Sequence, residues 1–401
     1  MRILLNFIPL KSGGGLQIGL DFIAQAKKLG GAHHWFVVAS NGTPFESMEP
    51  TANVSLARLV GAEPAKRLWF EYVECRSVIR KLKPDVVYTQ FGNHWPGAKV
   101  PHVIGCAYSN LMYPEMDFWD AYPARQRFTR RLIDRFRRHR LIAADEVVFE
   151  TQDLAERAIR YLGLDPKRVH TVRPSVSSLV QTGQTHEETA ARCSLLPPGY
   201  RLVLISGFQL NKNIMLLPRI AERLRNHHGM EDVVFVTTLP PDHPGTLRYL
   251  DKAEEQGVGS MVFNMGPVPQ QGCAEVYAEV DAVILPTRLE SFSNTIAEAW
   301  SMRKPLLISD LDWARGACGD GAIYFDYNEP EDAARKIVQM RRDATAVENL
   351  IDAGTAMLAT YSTSEQRFLE YLSIIESRHR REIGDDPADD GSVASIVQAT
   401  Q

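Results

Sequence analysis

Short runs of β-branched and aromatic residues alternate with amphipathic helical stretches along most of the chain, and this alternation narrows the fold more than any other feature. A strand, a helix and a further strand in that order read as a parallel sheet wrapped by crossovers, because a parallel neighbour is reached only by returning along the sheet. In the first half "RILLNF", "HWFVVA", "DVVY", "PHVIGC", "EVVFE" and "RVHTV" read as strands. Helical periodicity runs between them from Leu16 to Leu29, Pro64 to Leu82, Pro123 to Ala143 and Asp153 to Leu162. The pattern then restarts with "RLVLIS", "DVVFVT", "MVFN", "DAVILP", "PLLIS" and "AIYF". The class is α/β, in two successive units.

A chain of 401 residues that is 44% hydrophobic supports two packed cores. The first domain is read over residues 1–178. A polar stretch ending in a Pro-Pro pair is read as a linker over 179–198, and a second domain follows over 199–362. Phe368, Tyr371, Leu372 and Ile375 fall at helical spacing, so residues 363–381 are expected to form an amphipathic helix that packs back on the first domain. The acidic, small-residue tail 382–401 is expected to be disordered. A formal net charge of -4 gives no global attraction to nucleic acid, and none is expected as a partner. The five cysteines are scattered without a CxxC pair, which argues against a disulfide framework or zinc site and suits a reducing cytoplasm. No secretion signal or membrane span is read, so the expected location is cytoplasmic, at most peripheral on the inner face of the plasma membrane.

The most informative segment is "DAVILPTRLESFSNTIAEAWSMRKPLLISD", from Asp281 to Asp310. It reads as a strand, a loop carrying Glu290, Ser291 and Phe292, and a helix beginning near Ser293, Asn294 and Thr295 and carrying Glu298. Free N–H groups at a helix start suit phosphate, and flanking carboxylates suit the hydroxyl groups of sugars. Spacing alone leaves another reading open, in which Glu298 closes a capping box and Glu290 is an exposed loop charge. The segment "LISGFQLNKN" places Gly207, Gln209 and Lys212 on a loop between a strand and a helix, where a lone lysine is by itself most often a solvated charge. Gly13, Gly14 and Gly15 lie between a strand and a helix, where absent side chains let a ligand approach the backbone.

The segment "ESFSNTIAEAWSMRKPLLISD" resembles the E-x7-E motif of retaining GT-B glycosyltransferases, especially family 4, typically "EGFGLPxxEAMAxGxPVIxSD". Both glutamates, the aromatic between them, the EA pair and the terminal SD are kept, and "WARGACGDGAIYFDYNEPED" continues the likeness. The resemblance implies a GT-B fold, two Rossmann-like domains whose parallel sheets face across a cleft. It further implies a metal-independent, retaining hexosyl transfer from a nucleotide-diphosphate sugar, with no cofactor. The family's loop commonly carries an Arg and a Lys; Lys212 matches, whereas Gln209 stands nearest the Arg position. By the same likeness Glu298 would bind the ribose and Glu290 the sugar. The family's first-domain His is replaced by Cys106 or Ala107, which leaves His94 and Asn110, on loops at strand ends, as candidates for substrate contact. The implied acceptor is a glycan or lipid-linked saccharide of surface polysaccharide such as O-antigen, capsule or lipopolysaccharide. A sugar-nucleotide epimerase or hydrolase, or a silent nucleotide-sugar-binding subunit, are the alternatives.

The run from Ala124 to Arg140 contains eight arginines and one acid, with Phe128, Leu132 and Phe136 spaced four apart. On a helix, Arg125–Arg140 would present an apolar stripe flanked by arginine. Such a stripe either faces the core with the arginines solvated, or lies on an anionic membrane surface.

Overall fold

The computed structural model describes residues 1–97, 99–116, 119, 122–175 and 185–384. The first domain is built on β1 (Arg2–Phe7), β2 (His34–Ser40), β3 (Val54–Val60), β4 (Val86–Gln90), β5 (His102–Gly105), β6 (Glu146–Phe149) and β7 (Val169–Thr171). They form one parallel sheet in the order β3-β2-β1-β4-β5-β6-β7. Its helices are α1 (Gly13–Leu29), α2 (Pro64–Trp69), α3 (Cys75–Leu82), α4 (Ala124–Ile142) and α5 (Gln152–Leu162). The second domain opens with α6 (Glu187–Cys193). Its strands are β8 (Tyr200–Leu204), β9 (Val233–Thr237), β10 (Val262–Asn264), β11 (Ala282–Leu285), β12 (Leu306–Ser309) and β13 (Ile323–Phe325). These are parallel in the order β10-β9-β8-β11-β12-β13. Around them lie α7 (Leu216–His228), α8 (Pro244–Glu255), α9 (Cys273–Ala278), α10 (Asn294–Ser301), α11 (Asp312–Cys318), α12 (Pro330–Arg342) and α13 (Ala344–Leu358).

Central strands are covered on both faces, which is why they read as unbroken apolar runs; every residue of β4 and of β9 is buried. Edge strand β3 lacks that signal. Its inner residues are only half-buried or exposed, and "VSLARLV" is absent from the strands read above. The periodic stretch from Pro64 to Leu82 is helical but contains a π-helical turn, Phe70–Glu74, between α2 and α3. Part of the stretch read as a linker is also structured. Helix α6 packs on α9 and buries Thr189 and Cys193, so residues 187–193 are a helix of the second domain and not a linker; residues 179–184 lie outside the described residues. The tail read as disordered begins with the last turn of a helix and Gly384, and residues 385–401 lie outside the described residues.

The chain returns to the first domain through α14 (Ser364–Ile383), which starts at a capping box formed by Thr363 and Gln366. Phe368, Tyr371 and Ile375 are buried against α1 and the sheet. The Phe368 ring lies 5.0 Å from Phe22 and 5.6 Å from Trp35, and Tyr371 lies 5.2 Å from Tyr88. The outgoing and returning strands of chain meet in a single bridge between Ser175 and Ser362. A second contact joins the domains at α5 and α11, where Arg157 reaches Asp312 at 2.5 Å while also pairing with Glu115.

Because Phe368 fills the aromatic core of the first domain from the end of the chain, Phe368→Ala should destabilise the protein by about 3 kcal/mol. Denaturant unfolding of the full chain checks this; an unchanged midpoint would show that α14 contributes no packing energy.

Candidate active site

Both sheets reverse their winding next to the first strand of each domain: β1 lies between β2 and β4, and β8 between β9 and β11. Loops on either side of such a switch point diverge and leave a crevice at the carboxyl ends of the strands. Here the two crevices face each other and enclose a space of about 730 Å³. The first domain lines it with Gly13, Gly14, Gly15, Phe91 and Glu150, among others. The second contributes Gly207, Gln209, Lys212, Glu290, Ser291, Phe292, Ser293, Asn294, Thr295 and Glu298. All the donor-side residues singled out from the sequence therefore border one cavity.

Two loops of the second domain are tied into one wall. The Arg288 N–H donates to the Asn211 carbonyl at 2.7 Å, and the Asn211 side chain donates to the Leu289 carbonyl at 3.1 Å. Asn213 takes a left-handed conformation at φ 52°, which turns the chain so that its side chain reaches the Tyr327 carbonyl at 3.0 Å. This frame sets the Lys212 ammonium against the Glu290 carboxylate in an ion pair that is largely shielded from solvent. Among the described lining residues Lys212 is the one Lys or Arg, so it dominates the positive charge available there.

Helix α10 begins at Ser293 with no side-chain cap. The Ile296 N–H donates back to the Ser293 carbonyl at 2.9 Å, while the N–H groups of Ser293, Asn294 and Thr295 ahead of it, together with the helix dipole, make the cavity wall favourable for an anion. The capping-box reading of Glu298 does not hold. Its carboxylate instead accepts from the Tyr277 hydroxyl at 2.8 Å, deep in the wall. Burial raises the Glu298 carboxyl above its ordinary value, and the Tyr277 hydrogen bond opposes that rise.

The three glycines form the first turn of α1, not a loop before it. Gly13 has φ 62°, a conformation strained for any side chain. A Cβ on Gly14 would stand 2.7 Å from the Asn294 side-chain nitrogen, so glycine there lets α1 and α10 approach each other across the cleft.

Two sequence candidates lie elsewhere. After Phe91, which bends the chain at φ 55°, Trp95 is drawn fully into the core against Phe70. That burial carries His94 away from the cleft, to lie 4.6 Å from the tilted ring of His102 at the start of β5. Burial also keeps its imidazole below the ordinary value. Asn110 sits in the short turn Ser109–Leu111, and neither residue lines the cavity. Cys106, which with Ala107 is one of two residues that match the position of the family's histidine, is a buried thiol pushed up to about 12 by desolvation.

Sequence reading missed Glu150, which follows β6 immediately and lines the cavity while being almost wholly buried. It lies 3.6 Å from Arg367 of α14. Burial raises its carboxyl; Arg367 and a hydrogen bond from Ser291 pull it down, and the Glu290 charge raises it further. The signal was an acid closing an apolar strand run, "EVVFE". The wall formed by Ser206, Thr238, Val268, Pro269, Gln270 and Cys273 was also missed, since it is assembled from the ends of separate strands. Among the described residues no three His, Cys, Asp or Glu side chains gather as a metal site.

A family model described as "Glycosyltransferase Family 4" matches residues 13–178, and one described as "Glycosyl transferases group 1" matches residues 199–343. Each half of the chain thus matches a glycosyltransferase family domain, and the whole has the GT-B fold. It is 27% identical over 222 residues to a D-inositol 3-phosphate glycosyltransferase of Thermomonospora curvata, a match covering 52% of this chain and 51% of the relative. The chain thus spans about half the length of the curated relatives it matches. Sucrose-phosphate synthase from Thermosynechococcus elongatus shares the fold with a TM-score of 0.73 at 14% identity, covering 96% of this chain and 99% of that one. Anabaena HepE, solved in complex with UDP and glucose, aligns with a TM-score of 0.66 at 15% identity over 93% of this chain and 99% of its own.

A buried carboxyl with a raised folded-state value stabilises the fold only while protonated, so its contribution is lost as pH rises through that value. Glu298→Gln keeps the acceptor for Tyr277 and removes the buried charge. Without ligand this variant should melt above wild type at neutral pH, with the gap closing as pH falls toward the ordinary carboxylate value of 4.5. Equal melting at neutral pH would show that the buried charge carries no cost.

Proposed function

We propose that the protein transfers a sugar from a nucleoside-diphosphate sugar to an acceptor hydroxyl with retention of anomeric configuration. One observation carries this reading: Lys212, the uncapped start of α10 and the carboxylates Glu290 and Glu298 converge on one cavity that Gly14 closes from the other domain. The diphosphate would lie against Lys212 and the N–H groups at Ser293, Asn294 and Thr295. Glu298 would accept hydrogen bonds from the ribose hydroxyls, and Glu290 would hold hydroxyls of the transferred sugar.

In the step itself the bond from the anomeric carbon to the phosphate oxygen breaks, and its electron pair leaves with the diphosphate. The ammonium of Lys212, released in part from Glu290, stabilises that developing charge. The acceptor oxygen enters on the same face, and its proton passes to the departing phosphate oxygen. No protein nucleophile, metal or cofactor is required in this scheme. A glycan or lipid-linked saccharide of surface polysaccharide remains the proposed acceptor class. The inositol phosphate named for the curated relatives adds a phosphorylated polyol to the acceptors worth assaying, and the UDP and glucose of the Anabaena structure put UDP-glucose first among donors.

A second reading is favoured by Gln209, which lines the cavity where the family resemblance leads one to expect arginine. With Lys212 as the one lysine or arginine among the described lining residues, a nucleotide-sugar-binding subunit without transfer activity is the competing proposal. Thermal melting with UDP, GDP, ADP and dTDP and their sugars should show a rise with one base that is lost in Glu298→Ala. Nucleoside diphosphate released only when an acceptor is added would establish transfer, and a binding shift without release would favour the silent subunit. In an active enzyme Lys212→Ala should lower kcat by roughly 100- to 1,000-fold with a smaller effect on KM.

A further inference from the structure

Helix α4 spans nineteen residues, yet Leu141 is the one residue it buries. Its apolar stripe is not core-facing: Phe128 is 66% exposed and Leu132 52%, and Ile133 beside them is also exposed. Helix α2 buries nothing, and it and the π-helical turn after it expose Leu68, Trp69, Tyr72 and Val73, with Trp69 at 59%. The two elements adjoin. The ring of Tyr72 lies 6.4 Å from that of Phe136, and Arg140 donates to the Tyr72 hydroxyl at 3.0 Å. Soluble proteins rarely leave so much aromatic and aliphatic surface together in water unless something covers it.

The charge around this face selects what covers it. Helix α4 carries eight arginines and a single acid, Asp134, which is engaged by Arg137 and by the Trp119 indole. On the neighbouring segment Glu71 pairs with Arg67, and Glu74 pairs with Arg58. Aromatic side chains ringed by arginine on a helix lying along the surface match an anionic lipid interface, where rings enter the headgroup boundary and cations meet phosphate. We infer that α2, the π-helical turn after it and α4 together form a docking face for an anionic bilayer. None of these exposed apolar residues lines the cleft, so binding to lipid leaves the donor cavity accessible. The inference deepens the proposal of a lipid-linked acceptor but rests on separate residues. No helix among the described residues is long and apolar enough to cross a membrane.

The test is co-sedimentation of the full chain with vesicles of phosphatidylcholine alone and of phosphatidylcholine mixed equally with phosphatidylglycerol. Binding is expected to the mixed vesicles only, and to weaken with added salt. Four of the other five tryptophans, Trp35, Trp95, Trp300 and Trp313, are buried, so a blue shift of emission on binding should report Trp69 and vanish in Trp69→Phe, which still sediments. Combined Trp69→Ser, Phe128→Ser and Leu132→Ser should cut partitioning by about tenfold or more without lowering the melting temperature, because all three side chains are exposed. Failure to sediment with mixed vesicles, or equal sedimentation of the triple variant, would overturn the inference. A doubled mass in light scattering that the triple variant loses, with no vesicle binding, would assign the face to a second copy instead. Nucleotide-induced melting shifts read the cleft alone, so each proposal can fail without the other.

Discussion

A parallel strand must be followed by a crossover that brings the chain back to the edge it started from, and the arrangement of this molecule follows from that constraint. All strand-to-helix turns in a domain gather at one edge of its sheet, and both sheets present that edge to the same cleft. The Gly13 turn, Phe91, Glu150, Lys212 and the Glu290 loop are far apart in sequence and adjacent in space for this reason. The second constraint is the return of α14, whose Phe368 and Tyr371 complete the first domain's aromatic core from the end of the chain. Two domains that could otherwise hinge independently are thereby joined at the chain crossing as well as at the Arg157–Asp312 contact.

The cavity is expensive by the standards of a protein interior. Glu298 is buried with one hydrogen-bonding tyrosine, and Glu150 is buried with an arginine at 3.6 Å. The ion pair of Lys212 and Glu290 is held where water screens it little. Buried carboxylates with raised values cluster at functional sites, and a charged, hydroxylated ligand of the kind proposed above would offset their desolvation. Glu150 couples the two requirements, because its partner Arg367 belongs to the helix that locks the domains while its own carboxylate faces the cleft.

Surface and core were distinguished only by the fold. The spacing of Phe128, Leu132 and Phe136 reports an apolar stripe whichever way the helix is turned, and the exposed side is decided by what lies next to α4. Likewise Trp69 sits in a stretch of good helical periodicity, and nothing in that period says that α2 buries no residue. His94 shows the same limit from the other direction: it stands four residues past β4, at a strand end where ligands often bind. The burial of its neighbour Trp95 takes it to the opposite side of the sheet edge.

What the sequence determined by itself was everything carried by local periodicity and by one contiguous motif. The alternation of apolar runs and amphipathic helices is a backbone hydrogen-bonding pattern written residue by residue, so the α/β class and all the strands but β3 were legible. That the segment from Glu290 to Glu298 and the Lys212 loop border the cleft was legible from their likeness to a family motif, each being a single strand-to-helix turn. Only the tertiary structure decided what depends on surfaces meeting: that Glu150 joins the cleft, that Tyr277 rather than the helix start takes the Glu298 carboxylate, that residues 187–193 pack on the second domain through Thr189 and Cys193, and that α4 faces outward. Those outcomes turn on distance between segments that the chain separates by tens or hundreds of residues, and burial is a property of the neighbour as much as of the residue itself.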